Sequence, residues 1–307
     1  MFAAISPIKE YLRSSYESIF HPGYFIGVAS MLAVIISLNY SYSFSPADNW
    51  WLSFTLDYLL YLLPFAFAYG LQWFYFKEDR SNFSKPWFWT LLFAAPALFA
   101  FRVNFIFIEK YVSAAVAPGD LRYSLSVINY IVKGVVLMVP VAAIWFIKDS
   151  AYFKLYGFGK SKNNRLYFLL LVLMVPLVLL AALTPDFLNN YPKALRSAGL
   201  YSSDNLSRFI LFELAYGLDF LSIEFFFRGF LIIAFIRYCG MRAIIPAACF
   251  YCCIHLGKPM PEAISSFFGG LLLGVISYHT LSIWGGLLIH IGIAWLMEIA
   301  AYVSHHF

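Results

Sequence analysis

Four ionisable side chains stand at spacings that could carry acid–base chemistry. Glu224 and Arg228 are four apart in Ile223-Glu224-Phe225-Phe226-Phe227-Arg228-Gly229, which stacks them on one helical face and implies at least an internal ion pair. His255 closes Tyr251-Cys252-Cys253-Ile254-His255, and His290 closes the run that starts at Ser282. A carboxylate held by a guanidinium, with two imidazoles nearby, can take a proton from water and return it to a leaving group. His290 and Glu298 are eight apart, so they share a helical face two turns from each other. Between these motifs Ser266, Gly270 and Gly274 recur every four residues, a small-residue stripe that lets a neighbouring helix approach closely. Close packing of three helices can therefore bring Glu224, His255 and His290 into one cavity. Each histidine alone reads as a hydrogen-bonded packing group; beside the Glu-Arg pair they point to a shared polar site.

The elements that must position these residues are membrane helices. Of the 307 residues 62% are hydrophobic and 12% charged, against about 45–50% apolar and 25% charged in ordinary soluble domains. A spanning helix needs about 20 mainly apolar residues. Stretches that qualify run over 25–44, 51–76, 87–107, 127–147, 166–184, 209–238, 243–255, 263–278 and 283–303, with the seventh and eighth short. The fold class is thus all-α, a polytopic membrane helix bundle of eight or nine helices. It divides into an amphipathic amino-terminal segment (1–24), amino-terminal transmembrane helices (25–187) and a motif-bearing transmembrane core (205–304). The breaks fall at Pro46, Lys77-Glu78-Asp79-Arg80, Pro118-Gly119, Pro185-Asp186 and Lys258-Pro259. An ionisable group at the bilayer centre costs roughly 2.5–3.5 kcal/mol, so Asp57, Arg102 and Lys133 in the first helices read as mutual pairs or snorkelling chains, and Asp219 joins Glu224 and Arg228 on the sixth.

Charge gives orientation. One set of alternate loops holds twelve basic residues, five of them between Lys148 and Arg165 with Lys160 and Lys162 included, and the other set holds six. The bias places the amino terminus in the cytoplasm. The formal charge of +5 is scattered over short loops, which excludes a nucleic-acid partner. Cys239, Cys249, Cys252 and Cys253 lie in or beside apolar segments and read as reduced packing groups. Trp50, Trp51, Trp73, Trp87 and Trp89 fall near helix ends, as an interfacial aromatic belt does. The first twenty residues lack the apolar core of a cleavable signal peptide.

The carboxyl-terminal third resembles the CPBP family, the CAAX-protease and bacteriocin-processing intramembrane peptidases. The family's motifs are E-E-x-x-x-R, F-x-x-x-H and H-x-x-x-N on successive helices. From Ser222 to Met297 this chain follows their order and spacing. Glu224 falls on the second glutamate, Arg228 on the arginine, Tyr251 on the phenylalanine, and His255 and His290 on the two histidines. Two positions depart: Ile223 replaces the first glutamate and Ala294 the asparagine. The resemblance implies that the first glutamate and the middle histidine activate a water, while the last histidine and asparagine stabilise the oxyanion.

Isoleucine offers neither proton transfer nor hydrogen bonds. Glu224 lies about 100° around the helix from it, and Asp219 lies one turn earlier on the same face, about 6 Å along the axis. The resemblance therefore implies an intramembrane peptidase with His255 as water-orienting base, His290 as oxyanion donor, Glu224 as carboxylate partner and Arg228 as its anchor. The alternative is a catalytically impaired relative that binds a membrane partner as a scaffold. A transporter is disfavoured, since no matching broken helices occur in two halves. No cofactor is expected; a divalent metal such as zinc is the less favoured variant because no H-E-x-x-H spacing is present. Partners are membrane lipid and a membrane-associated peptide or protein, and the breadth of the family makes a bacterial plasma or inner membrane the expected home.

Overall fold

The computed structural model describes residues 2–42, 49–159, 164–200 and 205–306. Pro46, Lys160 and Lys162, which the sequence assigns to loops, lie outside the described residues. An amphipathic helix α1 (Phe2–Ile19) leads into nine further helices: α2 (Pro22–Ser41), α3 (Trp50–Tyr75), α4 (Pro86–Val103), α5 (Pro118–Ile144), α6 (Asn164–Ala181), α7 (Leu206–Glu224), α8 (Ile244–Cys253), α9 (Met260–Thr280) and α10 (Trp284–His306). Short helical turns fill several connections, and no strand occurs among the described residues.

Local chemistry explains most of the boundaries. Proline opens α2, α4 and α5, where its missing N–H would have had no partner and its fixed φ suits the first turn. Asn49 caps α3 by accepting from the N–H groups of Trp51 and Leu52 at 2.8 and 3.3 Å. Pro64, Pro96, Pro140 and Pro176 sit inside helices, which membrane helices tolerate because neighbouring groups re-satisfy the freed carbonyls.

Helices α2, α3, α4, α5, α9 and α10 are long and apolar enough to cross a membrane. Their outer faces carry exposed large apolar side chains such as Trp51, Leu63, Val139 and Phe268, a surface suited to lipid and not to water. Helix α8 is different. It has only ten residues, all buried, and packs between α3, α9 and the segment that follows α7, so it is shielded from lipid on every side. Its Phe250 joins Tyr61, Phe65, Phe99, Phe226 and Phe227 in an aromatic core, with ring centroids 5.1 to 5.8 Å apart around Phe250. The small-residue stripe does what its spacing implies: a Cβ on Gly270 would stand 3.3 Å from Ala248, and one on Gly274 2.8 Å from Ile244. The four cysteines are free and buried.

Two details of the sequence reading change. Helix α7 does not continue as an α-helix to 238; from Phe225 to Ala234 the chain winds as a π-helix, with i→i+5 hydrogen bonds and a wider turn. Helix α8 stops at Cys253 and His255 sits in the turn beyond it, because Gly257-Lys258-Pro259 cannot extend the helix: the residue before a proline is driven out of the helical region.

The buried charges also find other partners than the sequence suggested. Arg102 pairs with Asp219 across α4 and α7, Asp57 accepts from Asn104 Nδ2 at 2.7 Å, and Lys133 donates to the carbonyl of Val103 at 3.3 Å. Arg102 and Asp57 are thus not each other's partners: the nearer carboxylate on α7 takes the guanidinium. Near the other end of α3 from Asp57, Gln72 Nε2 donates to Asp79 Oδ2 at 2.6 Å and Arg242 Nε stands 3.2 Å from the same oxygen. Burial nonetheless holds the Asp79 carboxyl above its ordinary range, the glutamine bond and the arginine opposing it less strongly.

Candidate functional site

The last residue of α7 begins the site. Glu224 is wholly buried and Arg228 follows it into the π-helix, with Nε 3.4 Å from Glu224 Oε2. That separation is an ion pair but not a good hydrogen bond, and the three guanidinium nitrogens lack hydrogen-bond partners among the described residues. Instead the Arg228 guanidinium lies over the face of Tyr251, 4.3 Å from the ring centroid, a cation–π contact strengthened by the absence of water.

The other oxygen of Glu224 reaches α10. Glu224 Oε1 is 3.0 Å from His290 Nδ1, and the approach is possible only because α10 carries glycine one turn before His290. A Cβ built on Gly286 would stand 2.2 Å from Glu224 Oε2. A carboxylate can only accept here, so His290 carries its proton on Nδ1 and, in the neutral ring, a lone pair on Nε2. That Nε2 faces the hydroxyl of Tyr251 at 3.4 Å. Phe220 covers the imidazole, with ring centroids 4.3 Å apart.

His255 packs against the same tyrosine, its ring centroid 4.6 Å from that of Tyr251. Its Nδ1 is 2.8 Å from the backbone carbonyl of Tyr251. A carbonyl has no proton to give, so this bond fixes the Nδ1–H tautomer and leaves Nε2 as the basic nitrogen. Glu224, Arg228, His255 and His290 therefore gather around one buried aromatic ring.

Other residues marked in the sequence lie outside this group. Glu298 does not face His290; its oxygens accept from the backbone N–H groups of Lys193 and Ala194 at 2.5 and 3.1 Å, capping the short helix Lys193–Arg196. Two turns of α10 are enough for those orphan N–H groups to reach it first. Asp219, one turn before Ile223, is engaged by Arg102 and is not a free base. Ile223 is buried in the main apolar core, and Ala294 is buried among Phe212, Ala215 and Tyr216. Among the described residues no three His, Cys, Asp or Glu side chains form a group that could hold a metal ion.

Tyr251 and Gly286 are the members that sequence reasoning undervalued. Tyr251 read as an aromatic standing for phenylalanine, although its hydroxyl was the available clue. Gly286 read as part of a run, and its role depends on a carboxylate 62 positions earlier in the sequence, a contact no local pattern reveals.

With this geometry in view, comparison with known proteins adds one finding. A family model described as Rce1-like, type II CAAX prenyl endopeptidase Rce1-like, matches residues 206–296. The match bears out the resemblance read from the motifs, and it contains Glu224, Arg228, Tyr251, His255 and His290. No curated protein and no solved structure matches the chain. The protein is a multi-pass membrane protein in which residues 206–296 are similar to that family.

Proposed function

We propose that the chain is an intramembrane peptidase that hydrolyses a peptide bond of a membrane-associated peptide or protein. The observation that carries this reading is the pair of buried Glu224 and half-buried His290, 3.0 Å apart, with the His255 imidazole, whose free nitrogen is Nε2, packed on the same Tyr251 ring. In the reaction His255 Nε2 takes a proton from water as the oxygen adds to the carbonyl carbon. His290, which takes a proton from solvent on Nε2 as the substrate binds and returns it on product release while Glu224 accepts from Nδ1, stabilises the carbonyl oxygen as it becomes negative. The C–N bond then breaks and the leaving amine takes up the proton held by His255. Arg228 holds Glu224 in place through the pair between its Nε and Glu224 Oε2.

This arrangement dispenses with a carboxylate at Ile223, so a slower enzyme is expected than one with both. The second reading, an impaired relative that binds a membrane partner, is favoured by one observation: the nearest spare carboxylate, Asp219, is already neutralised by Arg102. We assign the amino terminus and the 148–165 connection to the cytoplasmic face of a bacterial plasma or inner membrane, on the bias of Lys and Arg.

The test uses purified protein in detergent with fluorogenic prenylated and leader-type peptides. Cleavage by the wild type that is abolished in His255→Ala and His290→Ala supports the peptidase. Silence in the wild type with cleavage gained in Ile223→Glu identifies the impaired relative. Cleavage that survives both histidine changes refutes the assigned roles.

A further inference from the structure

Hydrolysis of an amide needs at least one hydrogen-bond donor fixed where the carbonyl oxygen becomes negative, and two act better than one. His290 supplies the first. The position one turn further along α10, Ala294, supplies none: its methyl is buried in an apolar cluster. The hydroxyl of Tyr251 is the polar group that does stand beside His290 Nε2, 3.4 Å away. An oxygen placed about 2.7–3.1 Å from each of the two, the range oxyanion donors use, forms a triangle whose third side is that 3.4 Å separation.

The ring is also held as a preorganised donor would be. Arg228 covers one face, Phe227 meets it edge-on with centroids 4.9 Å apart, and the residue is 6% exposed. A phenylalanine here would make the same apolar contacts, so packing alone does not call for the hydroxyl. Gly270 keeps α9 clear of the ring, since a Cβ there would come within 3.3 Å of Tyr251 Cδ1.

We propose that Tyr251 is a catalytic residue, whose hydroxyl donates to the substrate's carbonyl oxygen alongside His290 and replaces the donor that Ala294 lacks. In the resting site the hydroxyl donates to the neutral His290 Nε2. When His290 takes a proton from solvent on Nε2 as the substrate binds, that nitrogen no longer accepts, and the hydroxyl turns its hydrogen to the substrate oxygen. The assignment rests on the peptidase reading.

The decisive comparison takes wild type, Tyr251→Phe, Ala294→Asn and the double variant through peptide cleavage, with binding of a tetrahedral peptide phosphinate and of its planar amide counterpart measured in parallel. Tyr251→Phe should lower kcat by about 10²–10³, the loss expected for one oxyanion donor, with KM nearly unchanged. Ala294→Asn should restore at least tenfold of that loss in the Tyr251→Phe background, a rescue that a packing role would not produce. Unchanged kcat in Tyr251→Phe, or no rescue in a double variant that melts like the wild type, overturns the proposal. If the wild type cleaves nothing, the peptidase reading fails separately, and the binding arm still judges the donor. A loss of phosphinate affinity of tenfold or more in Tyr251→Phe, with amide affinity unchanged, upholds it; equal loss for both probes, or binding of neither, overturns it.

Discussion

Replacing Gly286 by alanine tests the central contact with a single methyl group. The added Cβ would stand 2.2 Å from Glu224 Oε2 and 3.2 Å from its carboxyl carbon, where ordinary contact begins near 3.4 Å. Something must move by about 1 Å. Helix α10 cannot easily yield as a body, because Gly285 on its neighbouring face already meets Tyr167: a Cβ there would be 2.0 Å from that ring. The carboxylate must therefore give way, and a shift of about 1 Å takes the 3.0 Å bond to His290 beyond hydrogen-bond range. Misplacement of that size costs on the order of 10²-fold in rate, and overpacking costs about 1–3 kcal/mol in stability. Peptide cleavage and thermal unfolding in detergent read the two effects, with Gly269→Ala as the control, since a Cβ at 269 meets nothing within 4 Å. A Gly286→Ala protein with wild-type stability and wild-type cleavage would refute the close approach of α10 to Glu224.

Two further outcomes follow from the buried charges. Arg102→Ala should destabilise the bundle by about 3–5 kcal/mol by stranding Asp219, whereas Arg102→Ala/Asp219→Ala should recover most of the loss in a denaturation series, and equal losses would dissolve the pair. Asp79 acts through pH: its folded carboxyl titrates above the unfolded one, so its contribution is fully present below the ordinary carboxyl range and is lost as pH rises through the folded value. Asp79→Asn should therefore be relatively more stable than wild type at neutral pH, with the advantage fading in acid; melting curves that differ by a constant across pH would contradict it.

The helices were legible because lipid enforces them. A run of apolar residues has few ways to satisfy its backbone in a membrane, so hydropathy located α2 to α10, including the short α8. The gathering of Glu224, Arg228 and His290 was legible from motif order for a related reason, since each ionisable group in that setting needs a partner. What sequence could not supply was the choice among partners. Arg102 has Asp57 and Asp219 as charge complements, and only the packing of α4 on α7 selects Asp219. Glu298 shares a helical face with His290, yet the N–H groups of Lys193 and Ala194 claim it. The π winding of Phe225–Ala234 was hidden as well, because a mainly apolar segment reads alike under either hydrogen-bond ladder.

Gly229, next to Arg228, touches a different part of the chain: a Cβ there would stand 2.5 Å from the backbone oxygen of Tyr156. The connection that precedes Gly157 is fastened by Asp149, which accepts from the Tyr156 hydroxyl and pairs with Arg237, and Gly157 accepts from Ile283 N–H at 3.0 Å. The length of this surface segment is thereby tied to a glycine deep in another helix. Descendants that insert or delete residues there would be released from keeping Gly229, while those that preserve the segment would inherit the constraint, so drift in the two places should go hand in hand.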